Sequence, residues 1–178
     1  MGNDIDILVT YAMNGDEAAF ETLLGRVYDR IYAASFKWCG TREEAEDVTQ
    51  EVCVKLARTL GSFKKECAFD TWLYRMTLNT VKDYFKQASR ARKRDQEFAE
   101  LQVLETGETQ EQAVLAKTYL AHIYMLSEPL RDAILLVYSE DRTHAEAAEI
   151  LGCKEGTISW RISEAKKQLL AMREDDDG

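Results

Sequence analysis

The sequence predicts an all-α protein built as two small helical domains joined by an acidic linker. Three observations carry this expectation. Among 178 residues there are one proline and nine glycines, so little interrupts a helix. Ala, Leu, Glu, Lys and Arg are abundant while runs of β-branched residues are few. Apolar residues recur at intervals of three and four over long stretches. A hydrophobic fraction of 46% also excludes disorder of the whole chain.

The first expected helix covers residues 16–38, where Phe20, Leu23, Leu24, Val27, Ile31 and Phe36 approximate helical spacing. Gly40 stops it. Thr41 then stands as a cap, with Glu44 at capping-box distance. The next helix runs from Arg42 to Leu60. Ala45, Val48, Val52, Leu56 and Leu60 line one side, and Glu43, Glu46, Asp47, Gln50 and Glu51 the other. Gly61 ends it. After the loop Ser62–Ala68, Asp70 or Thr71 caps a helix from Trp72 to about Arg92, with Leu73, Met76, Val81 and Phe85 on its apolar side. Residues 95–111 have weak periodicity and form the expected linker. A helix over 112–125 follows, then one capped by Ser127 with Pro129 in its first turn, carrying Leu130, Ile134, Leu135 and Val137. Glu140-Asp141-Arg142 turns the chain. Thr143 and Glu146 form a second expected capping box, opening a short helix to Leu151. Gly152 makes a tight turn into a last helix from Glu155 to about Met172, with Ile158, Ile162, Ala165 and Leu169 inward. The expected organisation is residues 1–94, a linker 95–111, a second domain 112–173 and an acidic tail 174–178.

Net charge is −9, which by itself disfavours a protein that binds DNA unaided. The charge is segregated, however. Between Trp72 and Arg94 stand Arg75, Lys82, Lys86, Arg90, Arg92, Lys93 and Arg94 against Asp83 alone. Between Asp95 and Glu128, acids face only Lys117. Cys39, Cys53, Cys67 and Cys153 make no CxxC or zinc-type cluster, and His122 and His144 are not spaced to join them. No metal and no cofactor is expected. The chain shows no signal peptide and no apolar run of membrane-spanning length, so a cytoplasmic protein with reduced thiols is expected.

Two segments carry nucleic-acid chemistry. A short helix, a glycine turn and a longer helix is the geometry of a helix-turn-helix. Ala147 and Ala148 permit close crossing. The outward side of the second helix holds Lys154, Thr157, Trp160, Arg161, Glu164, Lys166 and Lys167, suited to phosphates and base edges. In the Trp72–Arg94 segment, bases alternate with Trp72, Tyr74, Tyr84 and Phe85, a pattern for single strands, where aromatic faces stack on unpaired bases. Either segment read alone also fits an ordinary helix with a polar face.

The motifs Phe69-Asp70-Thr71-Trp72-Leu73-Tyr74-Arg75 with Asn79-Thr80, and Glu44 to Glu51 upstream, resemble region 2 of extracytoplasmic-function (group 4) sigma factors of the sigma-70 family. Gly156-Thr157-Ile158 with Arg161 and Ala165 resembles the recognition helix of region 4. The resemblance covers residues 14–94 and 112–170, in the family's order. It implies a region 2 helical bundle and a region 4 helix-turn-helix, and an alternative sigma factor without enzyme activity. Glu46, Asp47, Gln50, Glu51 and Lys55 would dock on the clamp helices of the largest subunit of core RNA polymerase. Region 4 would meet the flap of the second-largest subunit. Phe63, Lys64 and Lys65 lie in the loop that receives a flipped base of the −10 element. Trp72, Arg75, Asn79, Lys82, Asp83, Lys86 and Arg90 would read and grip that element. Lys154, Thr157, Ser159, Trp160, Arg161, Glu164, Lys166 and Lys167 would face the −35 duplex. An anti-sigma factor is implied as a partner, and direct membrane insertion is not.

The chain departs from the family pattern at Asp141-Arg142, where glycine and an apolar residue are usual, at Ser159-Trp160, at Lys154 and at Cys67. Competing readings are a stand-alone helix-turn-helix regulator and an interaction protein that has lost DNA binding. An enzyme has the least support, since no nucleophile–base pairing, phosphate-cradling glycine loop or ligand set is visible.

Overall fold

The computed structural model describes residues 2–92 and 121–176. The chain forms two compact units, residues 1–102 and 103–178. The expected linker, 95–111, lies outside the described residues.

The first unit contains α1 (Gly2–Met13), α2 (Glu17–Cys39), α3 (Arg42–Thr59) and α4 (Phe69–Arg92). The α1 helix was not expected from the sequence. Ile5, Leu8, Val9 and Ala12 give it a narrow apolar seam, and Val9 is fully buried. The Asp16 side chain caps α2 by accepting from the Ala19 N–H at 2.9 Å, and Gly40 ends it at φ 80°, the left-handed conformation glycine holds at no steric cost. Thr41 caps α3 as expected. Its hydroxyl accepts from the Glu44 N–H and donates to Glu44 Oε2 at 2.9 Å. All five residues of the expected α3 seam, Ala45, Val48, Val52, Leu56 and Leu60, are buried. The α3 helix packs on α2 and α4, whose Leu23, Val27, Ile31 and Trp38, and Leu73, Leu78 and Val81, are buried in the same unit. Each buried Val, Leu or Ile among them stabilises the fold by about 1.5–3 kcal/mol before conformational entropy is charged against it.

Two expectations at helix ends change. The α3 helix gives way at Leu60 to a single 3-10 turn through Ser62. The α4 helix begins at Phe69, so Asp70 and Thr71 lie in its first turn instead of capping it. The cause is tertiary: Phe69 is buried, and Asp70 pairs with Arg30 of α2.

In the second unit, residues 121–125 are helical, followed by α5 (Glu128–Ile134), α6 (His144–Leu151) and α7 (Glu155–Asp176). The part of the expected 112–125 helix before residue 121 lies outside the described residues. Ser127 is the N-cap of α5 with Pro129 behind it, but the N–H groups of Leu130 and Arg131 bond its carbonyl and not its hydroxyl. The helix expected through Val137 loosens into a π turn over Leu135–Ser139, because both Leu135 and Leu136 are held in the core. The chain reverses at Asp141, which takes φ 50°, so aspartate here adopts the backbone for which glycine is usual. The Thr143–Glu146 capping box is complete. Gly152 sits at φ 63° and closes α6. Ile158, Ile162 and Ala165 of α7 are buried with Ala147 and Ala148 of α6. Residues 174–176, set apart by composition as an acidic tail, continue α7, since nothing after Met172 breaks a helix.

Candidate nucleic-acid interface

The burial of one side of α3 fixes what the other side offers. Asp47 and Gln50 are exposed, and Glu46, Glu51 and Lys55 are half-buried. Glu46 accepts from Arg42 Nε at 2.7 Å, and that hydrogen bond raises the guanidinium pKa. Lys55 is drawn inward, between helices. Its ammonium lies 2.9 Å from Glu51 Oε1 and 3.8 Å from Asp83 Oδ2 of α4, and donates to Thr80 Oγ1 at 3.2 Å. Thr49, on the opposite side, is fully buried and donates to the Ala45 carbonyl at 2.6 Å.

The loop before α4 holds an aromatic cluster. Phe63 is only 5% exposed, with its ring centroid 4.9 Å from that of Trp72 and 5.9 Å from that of Phe69. Phe63 is therefore a packed support and not an open stacking surface. Lys64 is exposed. Lys65 is exposed too, but donates to Thr10 Oγ1 of α1 at 2.9 Å. Along α4, Trp72, Arg75, Asn79, Lys82 and Lys86 follow at three- and four-residue steps, with Asp83 four residues after Asn79, which aligns them on one side. Trp72, Arg75 and Lys82 are half-buried and Asn79, Asp83 and Lys86 exposed, while Leu73, Thr77, Leu78 and Val81 bury the other side. Arg90 belongs to α4, but its side chain lies outside what is described.

In the second unit, α6, the Gly152 turn and α7 form the expected helix-turn-helix. Lys154, Trp160, Lys166 and Lys167 are exposed, and Thr157, Arg161 and Glu164 half-buried. Trp160 is 63% exposed, unusual for the largest apolar side chain. Ser159 is engaged: its hydroxyl lies 3.0 Å from His144 Nδ1 and 3.3 Å from the Glu155 carbonyl it donates to. Arg161 donates to Cys153 Sγ at 3.8 Å. The Lys166 ammonium sits 4.9 Å from the centre of the Tyr138 ring. Glu164 accepts from Gln168 at 2.9 Å. The sequence reading missed Thr10, Tyr138, His144 and Cys153 as partners of these residues. Only the closeness of Cys153 and Arg161 along the chain hinted at any of them.

Among the described residues no three His, Cys, Asp or Glu side chains stand close enough to hold a metal ion. No described helix is long and apolar enough to cross a membrane.

A helical unit with a basic stripe and a helix-turn-helix unit define a two-module transcription factor. Comparison with known proteins narrows the class. The family model "Sigma-70 region 2" matches residues 23–91, and "Sigma-70, region 4" matches 121–169. The RNA polymerase sigma-H factor of Pseudomonas aeruginosa is 31% identical over 173 residues, covering 91% of this chain and 90% of that protein. The ECF RNA polymerase sigma-E factor of Haemophilus influenzae is also 31% identical, covering 91% of each. Among solved structures, CnrH in complex with the cytosolic domain of CnrY superposes with TM-score 0.70 at 23% identity, covering 97% of this chain and 99% of that one. The sigma factor RpoE of Bartonella quintana, solved with the anti-sigma factor NepR, gives 0.69 at 23% identity over 87% of this chain and 96% of that one.

The chain belongs to the extracytoplasmic-function sigma factors of the sigma-70 family. It is a transcription initiation factor that works with core RNA polymerase on promoter DNA, and not an enzyme.

Proposed function

We propose that α3 docks on core polymerase while α4 and the loop before it open and read the −10 element, and α7 reads the −35 duplex. The observation that carries this division is the sidedness of α3. Its seam is buried without exception, and what remains outward is Asp47 and Gln50, flanked by Glu46 and Glu51. An acidic surface suits a basic protein partner and repels phosphate. Residues 1–94 then act as region 2 and 112–173 as region 4, joined by the acidic linker 95–111. Clamp helices of the largest subunit would receive α3, and the flap of the second-largest subunit region 4.

On α4, Asn79, Lys82 and Lys86 would meet the opened strand, and Asp83 would limit its path. Arg75 and Trp72 border the loop where the flipped base is received, and Arg90 extends the grip. Lys55 serves this docking surface indirectly, by fixing Glu51 against α4. Lys154, just before α7, and Thr157, Trp160 and Glu164 on it form the base-facing set. Arg161, Lys166 and Lys167 hold phosphates, and Ser159 fixes α7 to the start of α6. The protein acts in the cytoplasm, where polymerase is. An anti-sigma factor controls it by covering these surfaces. The fold neighbour RpoE, solved in complex with the anti-sigma factor NepR, supports control by a partner of that kind.

Promoter-dependent transcription by purified core polymerase plus the full-length chain tests the whole reading. Runoff transcripts that require both components are expected, and their absence with an otherwise competent core would overturn it. Asp47→Lys is expected to lower core affinity by about tenfold, the effect of one reversed charge at a complementary interface. Its melting temperature should match the wild type, because Asp47 is exposed.

A further inference from the structure

The loop between Ser62 and Phe69 is largely exposed, yet it is held at both ends of its first half. Phe63 is buried against Trp72 and Phe69. Lys65 has φ 57°, a left-handed conformation that residues other than glycine adopt uncommonly. Its ammonium donates to Thr10 Oγ1 at 2.9 Å, and the same hydroxyl donates to the Asp6 carbonyl at 2.8 Å. Thr10 therefore has its single proton committed inside α1 and an oxygen lone pair facing Lys65. The α1 helix lies before residues 23–91, the span of the region 2 match, and nothing in the motifs gave it a role.

We propose that Thr10 is a positioning residue for the base-receiving loop, holding Lys65 in its left-handed turn so that the loop is preset before an unpaired base arrives. The proposal rests on the reading of the loop given above. It separates two neighbours that look alike in sequence. Lys64 is a contact for the strand, whereas Lys65 is tied to α1 and shapes the loop instead of neutralising a phosphate. Presetting matters because extruding a base costs stacking energy, and a loop ordered in advance does not add its own ordering cost at that moment.

Salt dependence distinguishes the two kinds of lysine. One phosphate contact to a single strand contributes about 0.7 to the slope of log K against log salt. The experiment uses the full-length chain with core polymerase. Its probe is a non-template-strand oligonucleotide whose −10 element this holoenzyme has first selected from a random pool. Thr10→Val and Lys65→Met are each expected to weaken binding about threefold to tenfold, the scale of one hydrogen bond, with the slope unchanged. The double variant should be no weaker than either single one, and Thr10→Ser should restore wild-type affinity. Lys64→Met should instead reduce the slope by about 0.7. Permanganate reactivity of −10 thymines in duplex promoter should fall with Thr10→Val, with core affinity unchanged. Wild-type binding by Thr10→Val beside a weakened Lys64→Met overturns the positioning role alone. A slope lost in Lys65→Met does the same, by making Lys65 a phosphate contact. No effect from either lysine variant overturns the loop reading and the proposal together.

Discussion

Single residues at chain reversals carry much of the helix-turn-helix. Thr143 and Glu146 satisfy each other's backbone donors, with Glu146 Oε2 accepting from both the Thr143 N–H and its hydroxyl at 2.8 Å. Thr143→Ala is expected to cost about 1 kcal/mol, measured as a lower denaturation midpoint of the second unit. The hydrogen bond from the Thr143 N–H, then that from its hydroxyl, holds the Glu146 carboxyl below its ordinary pKa. A group with a depressed folded pKa stabilises the fold above its unfolded pKa and loses that contribution as pH falls through the folded one. Melting from about pH 5 to about pH 3 should therefore fall less steeply in Glu146→Gln than in wild type. This box was legible because both partners are local, three residues apart. Ser159 was read as facing DNA, and its partner His144 was not foreseen, because 15 residues and a turn separate them. Thr10 and Lys65, 55 residues apart, were beyond any local pattern.

At the scale of elements, periodicity was most informative where one side is wholly buried. The α3 seam is such a case, and Leu56→Ala there is expected to cost about 2–5 kcal/mol in equilibrium unfolding. The α1 helix went unread because its seam is short and among its apolar residues only Val9 is fully buried. Its neighbours Ile7 and Tyr11 are exposed and blur the pattern. The π turn after Ile134 was invisible for another reason. Consecutive apolar residues there fit an α-helix equally well, and packing alone selects the wider turn. The α7 helix makes the opposite point. Its buried positions Ile158, Ile162 and Ala165 were found by spacing, while Leu169, expected inward with them, is only half-buried; the outward Trp160 then follows by subtraction. Trp160→Ala should leave the melting temperature unchanged while weakening −35 duplex binding about fivefold or more in a holoenzyme mobility-shift assay, by the loss of a large apolar contact to base edges.

For the molecule as a whole, the order of surfaces along the chain matters more than the net charge of −9. Averaged charge argues against DNA binding, yet under the proposed division the acids of α3 and the bases of α4 serve different tasks. The free chain should bind promoter duplex weakly, with a dissociation constant above about 1 μM at physiological salt, the range of non-specific contacts. Addition of core polymerase should tighten the complex by at least a hundredfold. Equal affinity with and without core would contradict the division of surfaces. Division into two helical units was legible from the charge shift near residue 95 and from glycine and capping signals. Which lysines are free for phosphate and which are held by other helices was not, because that depends on contacts between distant segments.

The three tryptophans occupy three different environments: Trp38 is 1% exposed in the first core, Trp72 is half-buried beside Phe63, and Trp160 is 63% exposed on α7. The chain thus contains its own set of optical reporters. Emission from Trp38 should be blue and should redden only on unfolding of the first unit. Trp72 should respond when a base enters the loop, and the water-exposed indole of Trp160 should dim when duplex covers it. Variants that keep one indole each, with phenylalanine at the other two positions, would let folding, strand opening and duplex capture be timed separately in the unlabelled protein.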